Sequence, residues 1–221
     1  MKVLIFTSSY MRPHMLRQCI LNVKNQTYKN IFHAINVVSD IDDWQNYLPL
    51  IDDIYSSKKM HILHSTNAHT HFNNMAAIKS IAGFNDYDVY IKMDDDDVYK
   101  ASYVENIVKK FQEDPTIDTV SSHIKYQLNG YKVYRGEPLY DNLGGNPGKQ
   151  NYHMPMTFAF NNKAFNVIKD LDVKDIYKHD DMMWRLHWEA HSLKHATVHN
   201  EEEIVWHVHG RNISTGSFLK P

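Results

Sequence analysis

Through its first hundred residues the chain alternates short, unbroken apolar runs with stretches of helical periodicity, and few architectures accept that alternation. Residues 2–7 read as a buried strand, with an unbroken apolar run over 3–6 of the kind found in a strand covered on both faces. After Pro13, Leu16, Cys19, Ile20 and Val23 recur at helical spacing. Residues 31–38 read as a second strand, 51–55 as the end of a helical segment, and 60–64 as a third strand. A helix over 72–81 and a fourth strand over 89–93 follow. Parallel strands need a crossover of a dozen or more residues, usually a helix, so the pattern predicts an α/β fold with a mainly parallel sheet covered on both faces.

The second half reads differently. After a helix over 103–111, the runs 119–126, 131–134 and 156–160 resemble strands with no helix between them. Gly, Pro and Asn cluster in 139–151, which predicts a surface loop. A last helix starts near Asp180 and a last strand covers 204–209. The expectation is one domain over 1–221, with a nucleotide-binding half (1–100) and a mixed half (101–221). It reads equally as a complete small protein or as a domain of a longer one.

Composition narrows the partners. A net charge of −2 lacks the basic excess that phosphate-backbone binding needs, so nucleic acid is not the expected partner. The single cysteine, Cys19, excludes an internal disulfide, and a reducing cytosol is the natural setting. The N-terminal apolar run is too short for a signal-peptide core or a membrane span, so no transmembrane segment is expected. Oligomeric state leaves no trace in the sequence.

In open α/β sheets ligands bind beyond the carboxyl ends of the strands, and there the fourth strand runs directly into Asp94, Asp95, Asp96 and Asp97. An acidic run is ordinarily a solvated turn. Four adjacent carboxylates against a buried strand instead require positive charge among them, and a hard Mg²⁺ or Mn²⁺ held by one or two carboxylates plus substrate phosphates meets that need. A calcium-binding EF-hand loop is excluded, because Tyr99 occupies the position that loop reserves for Gly. Neither GxGxxG nor a Walker sequence occurs, so a bound diphosphate would be neutralised by a metal and not cradled by a glycine loop.

Several segments, in order, resemble the inverting nucleotide-sugar glycosyltransferases of family 2, which have the GT-A fold. FTSSYMRPHMLRQCILNVKNQTYKNI is similar to that family's first strand, nucleotide loop and first helix, and YIKMDDDDVY to its Asp-x-Asp segment. PMTFAFNNKAF resembles the strand and helix lining the acceptor side, HDDMMWRLHWEA the catalytic acidic pair opening a helix, and IVWHVHGRNIS the closing strand with its His and trailing Ser. The resemblance implies transfer of a sugar from a nucleotide diphosphate sugar, UDP-sugar favoured, to a hydroxyl of a glycan or other acceptor. It implies Asp94 and Asp96 as the Asp-x-Asp pair, with Asp96 the closer metal ligand, Asp95 beside them and Asp97 bracing the loop. Thr7, Ser8, Ser9, Tyr10 and Arg12 would line the nucleoside pocket and Asp40 would bond the base. His207 or His209 would complete the metal site, while Arg211, Asn212 and Ser214 close over the diphosphate.

Asp180 and Asp181 precede an amphipathic helix, where an Asp is ordinarily an N-cap. Capping satisfies one carboxylate and not both. The resemblance places the catalytic base at Asp181, with Asp180 as cap or acceptor contact, and such a base would take the acceptor hydroxyl proton. One departure stands out: where the family often carries Ala-Arg-Asn, this chain has Phe72, Asn73 and Asn74, and Lys79 is the candidate replacement for the missing basic contact. His61, His64, His69 and His71 are expected to be surface and loop histidines. Trp184, Trp188, Tyr152 and His153 are candidates for stacking an acceptor sugar, core packing being the expected fate of at least one Trp. The competing readings are a metal-dependent phosphohydrolase, suggested by His179-Asp180, and a nucleotide-sugar or glycan-binding module without catalysis.

Overall fold

The computed structural model describes residues 1–50, 58–66, 70–122, 124–128, 132–135, 158–172, 180–198 and 204–208, with side chains left out at 41, 70, 124–128, 132–135, 180–182 and 204–208. The first half runs β1 (Val3–Tyr10), α1 (Pro13–Lys24), β2 (Ile31–Val38), α2 (Ile41–Trp44), β3 (Met60–Ser65), α3 (Thr70–Lys79) and β4 (Val89–Lys92). Then come β5 (Val98–Tyr99), α4 (Tyr103–Glu113), β6 (Thr119–Ser122), β7 (Ile124–Leu128) and β8 (Lys132–Arg135). β9 (Ala159–Asn161), α5 (Asn162–Ile168), α6 (Asp180–Ala190), β10 (His195–Val198) and β11 (Ile204–Val208) complete the described chain.

Seven strands form the main sheet in the order β10-β6-β9-β4-β1-β2-β3, and β9 alone runs against the others. The sheet is therefore mainly parallel, as the alternating pattern predicts. Both faces are covered. Val3, Ile5, Val89 and Ile91 meet α1 through Cys19 and Val23, and α4 through Val104, Ile107, Val108 and Phe111. On the opposite face Leu4, Phe6 and Tyr90 meet Met75, Ala77 and Ile78 of α3, Phe165 of α5, and Trp184 and Trp188 of α6. Each fully buried aliphatic side chain contributes roughly 1.5–3 kcal/mol, so these two layers carry the fold.

The second half departs from its expected strands in an instructive way. The run 119–126 is split: β6 joins the main sheet, and β7 joins a smaller sheet ordered β5-β11-β7-β8. β5 and β10 leave no apolar pattern, the first because it has two residues and the second because it is a half-buried edge strand. β9 ends on Asn161, whose side chain also caps α5 by accepting from the Ala164 N–H at 3.0 Å. Expected features at 51–55, 131, 139–151 and 156–157 lie outside the described residues.

Two helices matter for the site. α3 follows β3 and leads to the start of β4, so its first turn lies at the carboxyl edge of the parallel strands and its last turn at the opposite edge. α6 leads by a short turn into β10, which runs parallel to β6. Its first turn therefore lies at the carboxyl edge too. Among the described residues no helix is long and apolar enough to cross a membrane.

Candidate active site

The chain leaves β1 toward β2 on one side and β4 on the other, so the carboxyl end of β1 is the topological switch point where a crevice opens. There Met11 adopts a left-handed backbone (φ 52°), which costs a non-glycine residue roughly 1–2 kcal/mol. The kink precedes Arg12, whose N–H donates to Tyr47 Oη at 2.7 Å. Its guanidinium reaches the acidic turn beyond β4, with Nη2 2.5 Å from Asp95 Oδ1 and Nη1 2.6 Å from Asp96 Oδ2.

The four aspartates do not share one environment. Asp95 and Asp97 are buried, whereas the Asp94 and Asp96 side chains retain 29% and 11% of their exposure. The turn is pinned from several directions. Ser9 Oγ donates to Asp95 Oδ2 at 2.7 Å, Asn22 Nδ2 to the Asp97 carbonyl at 3.2 Å, and the Asp94 N–H to Tyr99 Oη at 2.8 Å. Lys92, itself buried, places Nζ 2.8 Å from Asp94 Oδ1.

The positive charge that the sequence demands among these carboxylates is thus supplied in part by the chain itself, from Arg12 and Lys92. Burial pushes the Asp95 carboxyl up, to about 7, against the opposing pull of Arg12 and the Ser9 hydroxyl. Burial works to lower the Arg12 pKa, and the neighbouring carboxylates of Asp95, Asp96 and Asp94 together raise it. Arg12 accordingly acts as the resident counter-ion. Arg12→Met should lower stability to urea by about 2 kcal/mol, below the range for wholly buried pairs because the guanidinium keeps some exposure and Ser9 still bonds Asp95. An unchanged urea midpoint would show that Arg12 is not that counter-ion.

Asp94 and Asp96 fit a hard divalent cation, since both offer partly exposed carboxylate oxygens and such cations take one or two carboxylates with phosphate oxygens completing the shell. Among the described residues no group of three His, Cys, Asp or Glu comes together around a common point. The buried Arg12 Nε has no partner among the described residues.

The remaining sequence-predicted residues fall into three groups. Thr7 is buried; its hydroxyl donates to the Met93 carbonyl at 2.8 Å and sits 2.9 Å from His33 Nε2. Ser8 donates to Asn74 Oδ1 at 2.6 Å. Tyr10 is half exposed at the crevice, and Asp40 is spent capping α2 by accepting from the Asp43 N–H. Lys79 is the clearest correction. It lies at the far edge of the sheet from the acidic turn and bonds Asp170 and the Lys169 carbonyl, so it replaces no phosphate contact. Trp184 and Trp188 are buried in the core, Trp188 Nε1 donating to the Ala164 carbonyl, which removes both from the list of acceptor-stacking candidates.

His71 is likewise buried and not a surface histidine, and His64 packs against Trp44 with ring centroids 4.7 Å apart. Asp180 and Asp181 occupy the first two positions of α6, and His207 of β11 pairs in register with Gln127 of β7. Their side chains are not described, and His69, Tyr152, His153, His209, Arg211, Asn212 and Ser214 lie outside the described residues.

Lys92 and His33 escape a reading of motifs. Lys92 had a signal: a charged residue ending an otherwise apolar buried strand must find an opposite charge. His33 had none, because its role depends on a neighbouring strand. The Thr7 hydroxyl is committed to Met93, so His33 Nε2–H donates to it and the buried Nδ1 is left as an acceptor without a partner among the described residues. Burial lowers its pKa from 6.5 to about 3. The unfolded chain takes up this proton below pH 6.5 and the folded chain not until about pH 3, so this residue's contribution to stability is lost as pH falls through that window. His33→Gln should flatten the fall in urea midpoint between those pH values; an unaltered slope would contradict a neutral buried imidazole.

Comparison with known proteins places the fold and the family. Residues 4–170 match the profile of the family described as Glycosyl transferase family 2. No curated protein matches by sequence. Among solved structures, residues 1–349 of S. aureus TarS in complex with UDP-GlcNAc superimpose with a TM-score of 0.72 at 11% identity, over 100% of this chain and 62% of that one. The mannosyltransferase PcManGT from Pyrobaculum calidifontis, in complex with GDP-Man and Mn²⁺, gives 0.69 at 13% identity over 96% and 58%. At these identities the likeness shows the GT-A fold alone, and the chain spans about three-fifths of the length of these structures. With most of its length matched to the profile, the chain belongs to glycosyl transferase family 2.

Proposed function

We propose that the chain is a metal-dependent, inverting glycosyltransferase that moves a sugar from a nucleotide diphosphate sugar to an acceptor hydroxyl, with a glycan the favoured acceptor. The observation that carries this reading is the division of the acidic turn. At the switch point Asp94 and Asp96 keep partly exposed oxygens, while Asp95 is sealed beneath them on Arg12 and Ser9. A solvated acidic loop has no reason to bury two of four carboxylates and recruit a buried lysine.

In this reading Asp96 and Asp94 hold Mn²⁺ or Mg²⁺, which supplies charge stabilisation to the departing diphosphate. Tyr10 covers the base, and Arg12 keeps Asp95 and Asp96 in register. Asp181 takes the proton of the acceptor hydroxyl as its oxygen attacks the anomeric carbon, and Asp180, the first residue of the helix and so not its cap, contacts the acceptor. One displacement on one face inverts the anomeric configuration. His207 or His209, Arg211 and Ser214 belong to the closing segment of the same site. We read 1–221 as one domain working in a reducing compartment, in keeping with the lone, buried Cys19.

TarS has been solved with UDP-GlcNAc and with UDP, and the mannosyltransferase with GDP-Man and Mn²⁺, which supports a nucleotide-sugar donor and leaves UDP a preference. The phosphohydrolase reading needs an all-helical domain and does not suit a seven-stranded sheet. A thermal-shift screen of UDP-, GDP- and dTDP-sugars with and without Mn²⁺ tests the proposal. A donor at a hundredfold excess over its Kd adds about 2.7 kcal/mol to stability. Stabilisation by no sugar nucleotide would sink the function, and equal stabilisation without the metal would sink the metal dependence.

A further inference from the structure

We propose that His71 is a positioning residue for the acidic pair opening α6 and that it acts through Trp184. The inference rests on the reading of Asp181 as the catalytic base. His71 stands in the first turn of α3, and that turn is tied to the ends of three strands. Asn74 accepts from Ser8 of β1 at 2.6 Å, and Asn73 Oδ1 accepts from Asn36 of β2 at 3.1 Å and from Ser65 of β3 at 3.3 Å. The first turn of α3 is thereby fixed to the donor side of the crevice.

From this anchored turn a directional bond crosses to α6. Trp184 Nε1–H donates to His71 Nδ1 at 2.8 Å, the rings meeting edge to face at 74° with centroids 5.9 Å apart. Both side chains are buried. Trp184 lies three residues after Asp181, close to one helical turn, so fixing the indole fixes the rotation of the turn that carries Asp180 and Asp181. The rest of the indole contacts Phe6, Phe158, Phe160 and Trp188, with centroids between 6.0 and 6.4 Å away. Such apolar contacts are non-directional and hold a helix against the sheet without choosing its rotation. Two hydrogen bonds make that choice: Trp188 Nε1–H to the Ala164 carbonyl at 2.9 Å holds the later turn, and Trp184 to His71 holds the turn next to Asp180 and Asp181. The second also sets the tautomer: Nδ1 accepts, so the neutral ring carries its proton on Nε2.

Two variants separate positioning from packing. His71→Asn keeps an acceptor where Nδ1 stood, whereas His71→Leu leaves the buried indole N–H without one. Amide hydrogen exchange across 182–186 and steady-state hydrolysis of UDP-GlcNAc and GDP-Man with Mn²⁺ are measured on both. The expected result for His71→Leu is exchange about tenfold faster in the first turn of α6 and kcat about tenfold lower, with donor KM within about twofold. His71→Asn should recover both to within about threefold, and in an Asp181→Asn background His71→Leu should cost less than about twofold, because both act through one group. Parental exchange and kcat in His71→Leu, an Asn variant as impaired as Leu, or a loss confined to KM would each overturn the proposal. So would a further full loss on top of Asp181→Asn. If the parent turns over neither donor, the functional reading fails separately, and the exchange measurements alone then decide whether His71 sets the first turn of α6.

Discussion

Asp96→Asn is expected to abolish Mn²⁺-dependent donor binding and to lower turnover by about 10²–10³-fold, the several kcal/mol that a metal-held oxygen contributes. The substitution preserves shape and removes charge from the carboxylate that combines partial exposure with contact to Arg12. Stability should change little, because Arg12 keeps its bond to Asp95 and the buried part of the turn keeps Ser9, Asn22 and Tyr99. Calorimetry of a sugar nucleotide with and without Mn²⁺ provides the measurement. Tight, metal-independent binding by the parent, or unchanged metal-dependent binding by the variant, would falsify the assignment. Asp95→Asn should behave in the opposite way, costing stability first, since Asp95 is buried and twice bonded.

The second large effect concerns Asp181. A positioned general base contributes about 10²–10⁴-fold, so Asp181→Asn should lower kcat by that factor and leave the donor's affinity within about twofold. The separation follows from topology. The acidic turn belongs to the loop after β4, and Asp181 belongs to the start of α6, an element joined to that loop through the core and not through the chain. Asp96→Asn and Asp181→Asn should therefore sort cleanly, the first losing metal-dependent binding and the second losing the chemical step alone. A rate within about threefold of the parent for Asp181→Asn would remove it as the base and return the non-catalytic binding module to contention.

Much of the fold was legible because parallel strands buried on both faces must be continuously apolar. Val3–Phe6 is fully buried, and an unbroken apolar run between turn residues suits few settings besides a strand covered on both sides. Where burial is incomplete the signal fails. β10 is a partly buried edge strand with His195 and Thr197 in it, and β5 is two residues long. The switch of chain between sheets near residue 123 was equally hidden, since it depends on β11, a strand far along the chain that pairs with both β5 and β7. Lys79 was misplaced for a related reason. Helical periodicity locates a residue on a face, and only the direction of the helix says which edge of the sheet its end reaches.

Taken alone, the sequence determined that four adjacent carboxylates end a buried strand and that they demand positive charge. It did not say which of them face the crevice or where the charge comes from. The fold decides both. Pairing of β1 with β4 carries Arg12 across 84 residues of sequence to Asp96, and the turn after β4, held by Ser9 on Asp95, Tyr99 on the Asp94 N–H and Asn22 on the Asp97 carbonyl, buries Asp95 and Asp97. A charge pattern is local and survives in the sequence, whereas the partner of each charge is fixed by strand pairing and burial. The acidic run is accordingly a turn with its own protein counter-ions, and its two partly exposed members are the ones we propose as metal ligands.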